Sequence, residues 1–178
     1  MARLIYVMGP SGSGKDSCIR YARERLAHGT RVFFAHRYIT RPANSVGENH
    51  VSLSQAEFDL RLRMGFFSLH WQSHGLSYGL GREIDLWMEP DSTVVINGSR
   101  GYFPQAFELY PTMLPIEIIA NPAITAERLL LRGRETKVQT EERLHRGLAF
   151  KIDHPGLVRI DNSGPLEIAG ETLLALLG

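Results

Sequence analysis

A glycine-rich stretch near the start of the chain carries the residue types that bind a polyphosphate. It comprises Gly9, Pro10, Ser11, Gly12, Ser13, Gly14, Lys15, Asp16 and Ser17. Three of these, Gly9, Gly14 and Lys15, fit the spacing Gly-x-x-x-x-Gly-Lys, in which backbone N–H groups surround the phosphates and the lysine adds a positive charge. An apolar run precedes the stretch and a helical pattern follows it, so the positive end of a helix dipole faces the same anion. We therefore expect these residues to bind ATP, with Lys15 acting in catalysis.

The residue after the loop lysine departs from the usual pattern. A hydroxyl residue that holds Mg²⁺ is expected there, and this chain has Asp16. A carboxylate beside a polyphosphate is repelled unless a cation lies between them. We hypothesise that Asp16 binds Mg²⁺, directly or through water, and that Ser17 supplies the remaining hydroxyl of the loop. The alternative is that Asp16 only caps the helix.

A second group of polar residues follows the second predicted strand. Arg37, Arg41, Glu48 and Tyr78 combine two guanidinium groups, a carboxylate and a phenol, which suits a small phosphorylated acceptor because arginine binds phosphate through paired hydrogen bonds. Ligands of open α/β sheets bind beyond the carboxyl ends of the strands, where this group is expected to lie. The alternative is that the arginines are solvated loop residues.

A basic segment later in the chain supplies candidate catalytic cations. Arg132, Arg134 and Arg146 lie in a polar stretch that also contains Arg128. Phosphoryl transfer spreads negative charge over the migrating group, and cations placed around it lower the barrier. A segment that closes over the nucleotide also excludes water. The alternative is an exposed charged helix.

These residues are positioned by strands that alternate with helices, the pattern of an α/β fold with a parallel central sheet. Strands are predicted over 4–8, 31–35, 66–71, 76–78, 93–96, 114–120 and 157–160, and a loop follows Arg37 as far as Gly47. Helices are predicted over 15–27, 81–89, 101–109 and 140–150, with others opening at the capping box of Ser54 and Glu57, after Asn121 and at Pro165. We predict one kinase domain over 1–178, with a core over 1–37, 81–130 and 149–178, an acceptor-binding insertion over 38–80 and a lid over 131–148.

The bulk composition limits the possible partners. The chain has 178 residues and a formal net charge of +1, so binding to nucleic acid through bulk charge is not indicated. No apolar run approaches the roughly 20 residues of a membrane span, and the first predicted strand leaves no room for a signal peptide. The single cysteine, Cys18, excludes an intramolecular disulfide, which favours a cytoplasmic setting.

With these motifs in view, the chain resembles the guanylate-kinase-like P-loop kinases over nearly its full length. The loop that contains Lys15 resembles that of the family, and the segment from Tyr38 to Pro42, followed by Gly47 and Glu48, is similar to its nucleotide-monophosphate segment. Residues 74–79 resemble its tyrosine turn, and residues 131–134 with Arg146 resemble its lid. The resemblance implies the P-loop NTPase three-layer fold, and it places Asn162 near the adenine of ATP.

Several departures from the family pattern affect the acceptor site. Where the family has a second acceptor arginine, this chain has Asn44, and where the family has an aspartate at the end of the central strand, it has Asn97. The position of the family's guanine-reading glutamate lies near Leu69 or His70, and neither is a carboxylate. Such a site should bind guanine poorly. One branch of the family shares this pattern and phosphorylates ribose 1,5-bisphosphate to 5-phosphoribosyl 1-diphosphate in bacterial phosphonate degradation. The resemblance implies that reaction, with ATP and Mg²⁺ as cofactors.

Other functions remain open on the sequence alone. The nearest is a guanylate kinase or another nucleoside-monophosphate kinase. A non-catalytic guanylate-kinase-like binding module is a second alternative, although such modules can lose the loop lysine and lid arginines that are present here. A small-metabolite kinase such as a gluconate kinase is a third, and the segment from Tyr38 to Glu48 argues against it.

Overall fold

The computed structural model describes residues 1–42, 49–131 and 150–178 of the chain. Nine strands are described: β1 (Arg3–Met8), β2 (Val32–Phe34), β3 (Arg37–Ile39), β4 (His50–Ser52), β5 (Phe67–Ser73), β6 (Leu76–Gly81), β7 (Thr93–Asn97), β8 (Leu114–Ile119) and β9 (Val158–Asp161). The described α-helices are α1 (Lys15–Arg25), α2 (Gln55–Arg63), α3 (Glu83–Leu86), α4 (Phe103–Leu109), α5 (Pro122–Leu131) and α6 (Leu166–Leu177), and a 3₁₀ turn (Arg100–Tyr102) precedes α4.

The strands form a five-stranded sheet in the order β2-β7-β1-β8-β9 and a four-stranded sheet in the order β4-β3-β6-β5. In the larger sheet β2 pairs with β7, and β8 with β9, in parallel register. Strands β1, β7 and β8 are buried along almost their whole length, as expected for parallel strands that are covered on both faces. The prediction of an α/β fold with a parallel central sheet is therefore confirmed.

By its internal contacts the chain divides into two compact units. The first unit comprises Met1–Tyr6, Arg31–Asn97 and Tyr102–Met113, and the second comprises Val7–Thr30, Gly98–Gly101 and Leu114–Gly178.

The first unit contains the four-stranded sheet. Its apolar core includes Val94, Val95 and Ile96 of β7, and Phe103 packs edge-on against Tyr6 with ring centroids 5.7 Å apart. Helix α2 begins as the capping box predicts, because the N–H of Glu57 donates to the hydroxyl of Ser54.

The second unit is built on the packing of α1 against α6. Cys18 and Ala22 of α1 and Leu173 of α6 are fully buried, and the hydroxyl of Tyr21 donates to Glu171 at 2.8 Å. Helix α5 begins where Asn121 and Pro122 predict it, since the N–H of Ala123 donates to the side chain of Asn121 at 2.9 Å.

The described structure corrects several predicted elements. The predicted loop after Arg37 begins instead with β3, which pairs with β4 in parallel and with β6 in antiparallel register. These pairings join residues that are distant in sequence, so a local pattern of residue types cannot predict them. The helix predicted over 81–89 is limited to Glu83–Leu86, and α4 begins at Phe103 rather than at Gly101. The helix predicted over 140–150 lies outside the described residues apart from Phe150. In the described ranges no helix is both long enough and apolar enough to span a membrane.

Candidate active site

In the second unit, the glycine-rich loop joins β1 to α1 through a backbone that favours glycine. Gly12 and Gly14 have φ angles of 85° and 83°, in the left-handed region that side-chain-bearing residues rarely adopt. The N–H of Ser13 donates to the carbonyl of Pro10, and α1 begins when the N–H of Cys18 donates to the carbonyl of Gly14. The first N–H groups of a helix lack intrahelical acceptors, so this turn presents backbone donors suited to an anion.

Two charged side chains follow Gly14 at the start of α1. The ammonium nitrogen of Lys15 lies 3.6 Å from a carboxylate oxygen of Asp16, and both side chains are largely buried. The carboxylate of Asp16 and the neighbouring hydroxyl of Ser17 are the hard oxygen donors that Mg²⁺ prefers. Within residues 1–42, 49–131 and 150–178, no three His, Cys, Asp or Glu side chains are grouped to hold a metal. A Mg²⁺ ion that binds together with a nucleotide needs only one or two protein ligands, so the donor set fits it.

Asn162 contacts the glycine-rich loop directly. It follows β9, its side chain is only 1% exposed, and its amide nitrogen donates to the carbonyl of Ser13 at 2.8 Å. Arg128 of α5 reaches the same carbonyl at 3.4 Å. A side chain at Gly14 would collide with the amide of Asn162, so this contact requires glycine. The sequence places Asn162 near adenine by resemblance, and the structure assigns it a bond to the loop backbone.

The thiol of Cys18, on α1, is fully buried. Burial raises the pKa of Cys18 to about 11, and the nearby charge of Arg128 opposes this shift only in part. A buried neutral thiol is neither a good nucleophile nor a metal ligand. Cys18 is therefore a small core residue of α1.

In the first unit, the register of the smaller sheet places several candidate acceptor residues on one face. Ile39 of β3 lies opposite Tyr78 of β6, which in turn lies opposite Trp71 of β5. Residues that directly oppose each other, and residues two apart along a strand, project to the same side of a sheet. We call this side the Tyr78 face, and it comprises Arg37, Ile39, Leu69, Trp71, Tyr78 and Leu80.

The Tyr78 face combines two candidate phosphate-binding side chains with apolar neighbours. Arg37 is 9% exposed, and its guanidinium carbon lies 5.9 Å from the centre of the Tyr78 ring. Ile39, Leu69 and Leu80 are fully buried. The family's guanine-reading carboxylate is expected near Leu69 or His70. Leu69 is fully buried and offers no hydrogen bond to a nucleobase, and His70 is exposed on the opposite face of the sheet.

Arg41 follows the end of β3 and is held in place through its neighbours. The N–H of Ser77 donates to the hydroxyl of Thr40 at 2.9 Å, and the N–H of Thr40 donates to the carbonyl of Ser77 at 3.1 Å. The hydroxyl of Ser52 donates to the carbonyl of Arg41 at 2.6 Å. These bonds fix the backbone on which Arg41 and Tyr78 stand.

The remaining predicted site residues are distributed elsewhere. Asn97 ends β7, in the larger sheet, and is half-buried. Glu48, Arg132, Arg134 and Arg146 lie outside the described residues.

Several residues that the structure brings to these sites are not predicted from the sequence. By sequence Arg128 is grouped only with the basic segment, whereas it contacts the loop carbonyl of Ser13. Thr40, Trp71 and Tyr102 are not singled out. Thr40 could have been predicted, because it is a hydroxyl residue directly before Arg41. The contact of Trp71 with Tyr102 could not be predicted from a local pattern, because it joins distant parts of the chain.

Known proteins are similar to this chain over nearly its whole length. No protein-family model matches the chain. A ribose 1,5-bisphosphate phosphokinase (PhnN) from Desulfomicrobium baculatum is 55% identical over 177 residues, which cover 99% of this chain and 95% of the relative. Its counterpart from Thiobacillus denitrificans is 53% identical, covering 98% and 92%, and that from Yersinia pestis is 45% identical, covering 99% and 92%.

Solved structures resemble the chain in fold. A guanylate kinase from Anaplasma phagocytophilum superposes with a TM-score of 0.72 at 14% identity and covers 99% of this chain and 85% of its own. A gluconokinase from Sinorhizobium meliloti gives a TM-score of 0.53 at 21% identity, covering 99% and 91%. At these identities the likeness concerns the fold alone, which is that of the guanylate-kinase-like P-loop kinases.

Proposed function

The chain belongs to the family of the ribose 1,5-bisphosphate phosphokinases, and from this membership we propose that it transfers the terminal phosphoryl group of ATP to ribose 1,5-bisphosphate. The products are 5-phosphoribosyl 1-diphosphate (PRPP) and ADP, and the reaction serves phosphonate catabolism. A phosphate oxygen at C1 of the sugar forms a bond to the γ-phosphorus, while the bond from that phosphorus to the β–γ bridging oxygen breaks. The bridging oxygen leaves with the electron pair as part of ADP.

The acceptor oxygen needs little activation. A sugar phosphate is ionised near pH 7, so no strong general base is required, and catalysis consists of positioning and charge neutralisation. The backbone donors of the loop and the ammonium group of Lys15 hold the phosphates of ATP. Asp16 and Ser17 would hold Mg²⁺, which would supply positive charge against the phosphates of ATP.

Arg37, Arg41 and Tyr78 bind the phosphates of the acceptor, with Glu48 and Asn97 completing its site. The guanidinium groups suit phosphate oxygens, and Tyr78, whose ring centre lies 5.9 Å from the guanidinium carbon of Arg37, adds a hydroxyl donor. We also propose that Arg132, Arg134 and Arg146 are the cations that surround the transferred group. From the use of ATP and a sugar phosphate we infer a cytoplasmic location.

The observation that carries the choice of acceptor is the composition of the Tyr78 face. It offers Arg37 and Tyr78 to a phosphate, whereas Leu69 and Leu80 are fully buried and offer nothing to a nucleobase. A guanine at the Tyr78 face would find no carboxylate among its residues to accept its N–H groups, and hydrogen bonds to water that are lost without replacement are costly. A sugar bisphosphate carries two phosphates and no base, so it meets the requirements of this face.

The test is an ADP-release assay that compares ribose 1,5-bisphosphate with GMP as acceptor. We expect kcat/KM for the sugar to exceed that for GMP by about 100-fold or more, and the product to serve as a PRPP donor for a phosphoribosyltransferase. Faster turnover of GMP would establish a nucleotide kinase instead. Absence of ADP release with either acceptor would favour a non-catalytic binding module.

The role of Asp16 has a separate test. If its carboxylate binds Mg²⁺, Asp16→Asn should raise the Mg²⁺ concentration needed for half-maximal activity by about tenfold. An unchanged magnesium dependence and turnover would leave Asp16 with only a capping role in α1.

A further inference from the structure

Trp71 stands at the centre of an aromatic stack on the Tyr78 face. It lies directly across from Tyr78 in the pairing of β5 with β6. The two rings are parallel to within 2°, and their centroids are 5.4 Å apart. Tyr102, which precedes α4, stacks on Trp71 with a centroid distance of 5.5 Å and an angle of 22°. Trp71 is 8% exposed, so both contacts are shielded from water.

The stack restricts the side chain that is expected to bind the acceptor phosphate. Tyr78 is half-buried, and its ring stacks on the indole of Trp71. The guanidinium carbon of Arg37 lies 5.9 Å from the centre of the Tyr78 ring. A flat neighbour restricts the side-chain torsions of a tyrosine, and these torsions set where its hydroxyl oxygen lies. Without a flat partner the ring would adopt other rotamers, and its hydroxyl would no longer keep one position relative to Arg37.

We propose that Trp71 is a positioning residue of the acceptor site, which holds the Tyr78 ring in the orientation that binds the acceptor phosphate. The inference rests on the proposed function, because it assumes that Tyr78 binds the acceptor. Trp71 acts through Tyr78 and not on ATP. Its loss should therefore change acceptor binding much more than nucleotide binding.

The chain offers a matched control for a tryptophan that is merely structural. It contains two tryptophans, Trp71 and Trp87. Trp87 belongs to the same unit and also stacks on an aromatic ring, that of Phe33, with a centroid distance of 5.7 Å and an angle of 19°. Phe33 belongs to β2 in the larger sheet, and neither Phe33 nor Trp87 is among the residues of the Tyr78 face. Replacing either tryptophan removes one stacked indole, but only one replacement affects Tyr78.

The kinetic test compares Trp71→Leu with Trp87→Leu, using whichever acceptor the unaltered enzyme turns over. We expect Trp71→Leu to raise the acceptor KM by about tenfold, as two lost stacking contacts imply, with the ATP KM within twofold of the unaltered value. Trp71→Phe, which retains a flat ring, should recover most of the loss. Trp87→Leu should leave both KM values within twofold. Equal effects of the two leucine variants on the acceptor KM, or equal shifts of the acceptor and ATP KM values in Trp71→Leu, would overturn the proposal.

A binding measurement keeps the test independent of how well Trp71→Leu folds. In Trp87→Phe the only tryptophan is Trp71, and its emission should change saturably as the acceptor is added, with a midpoint near the acceptor KM. Emission that stays constant at saturating acceptor would overturn the proposal. The acceptor in both tests is whichever one supports ADP release. A finding that ribose 1,5-bisphosphate is not the substrate would therefore not by itself refute the positioning role of Trp71.

Discussion

The bond from Asn162 to the loop carbonyl of Ser13 can be tested by an isosteric change. In Asn162→Asp, an oxygen replaces the amide nitrogen that lies 2.8 Å from that carbonyl. At pH 8 the introduced carboxylate is ionised and has no proton to donate, so two acceptors face each other in a site that is only 1% exposed. We expect a marked loss of stability and a higher KM for ATP.

The magnitude follows from the contacts of the carbonyl. The lost hydrogen bond contributes about 1 kcal/mol, and leaving a buried polar group without its partner costs about 1–3 kcal/mol. Arg128 still reaches the carbonyl at 3.4 Å, which offsets part of this cost. We therefore expect Asn162→Ala to lower the free energy of unfolding by about 1–2 kcal/mol. Asn162→Asp should cost about 3 kcal/mol at pH 8, because it adds a buried charge.

The pH dependence distinguishes the two variants. Burial beside a carbonyl raises the pKa of the introduced carboxyl above its unfolded value of about 3.9, and the nearby charge of Arg128 opposes part of this shift. Its protonated form can donate to Ser13, so the variant is relatively most stable at low pH and loses stability as pH rises through the raised pKa. The deficit of Asn162→Asp relative to the parent protein should thus shrink between pH 8 and pH 5, whereas that of Asn162→Ala should stay constant.

The assay is urea unfolding at pH 5 and pH 8 together with the KM for ATP. Asn121→Asp is the matched control, because the side chain of Asn121 accepts a hydrogen bond from the N–H of Ala123 and a carboxylate accepts it equally well. We expect this control to remain within about 0.5 kcal/mol of the parent protein. If Asn162→Asp unfolds at the same urea concentration as the parent at pH 8 and keeps its ATP KM within twofold, the structural role of this bond is refuted.

Three further predictions follow from described contacts. Thr40→Val leaves the N–H of Ser77 without its acceptor and should raise the acceptor KM and cost about 1–3 kcal/mol of stability, whereas Thr40→Ser should preserve both; equal urea midpoints for the two variants would contradict this. Glu117→Ala removes the carboxylate that lies 3.6 Å from the largely buried Arg100 and should lower the free energy of unfolding by about 3 kcal/mol; a loss below about 0.5 kcal/mol would mean that the pair behaves as an exposed one. Since the pKa of Cys18 is raised to about 11, its thiol should resist a thiol reagent at pH 8 in the native protein and react in urea; rapid labelling of the folded protein would show that it is accessible.

Part of the candidate site was predictable from local sequence. The loop from Gly9 to Ser17 has the glycines its geometry needs, because Gly12 and Gly14 adopt left-handed backbone angles and α1 begins at Lys15. Strand β7 was predicted because a continuous β-branched run suits a strand buried on both faces. These features depend on residues close together in the chain, so a pattern of residue types is sufficient to specify them.

The structure alone decided how distant residues meet. Asn162 bonds to Ser13 across 149 residues, and Trp71 stacks between Tyr78 and Tyr102. Strand β3 was predicted as a loop because three residues have too weak a pattern to indicate a strand, and its pairing with β6 supplies the hydrogen bonds that stabilise it.

The sequence by itself therefore determined a phosphate-binding loop, an α/β fold and the residue types for a phosphorylated acceptor. Only the tertiary structure decided that Leu69 and Leu80 are buried beside Tyr78 and that Asn162 binds the loop backbone. The physical reason is that backbone conformation follows from neighbouring residues, whereas burial and side-chain partners follow from strand register and helix packing, which the whole chain sets together.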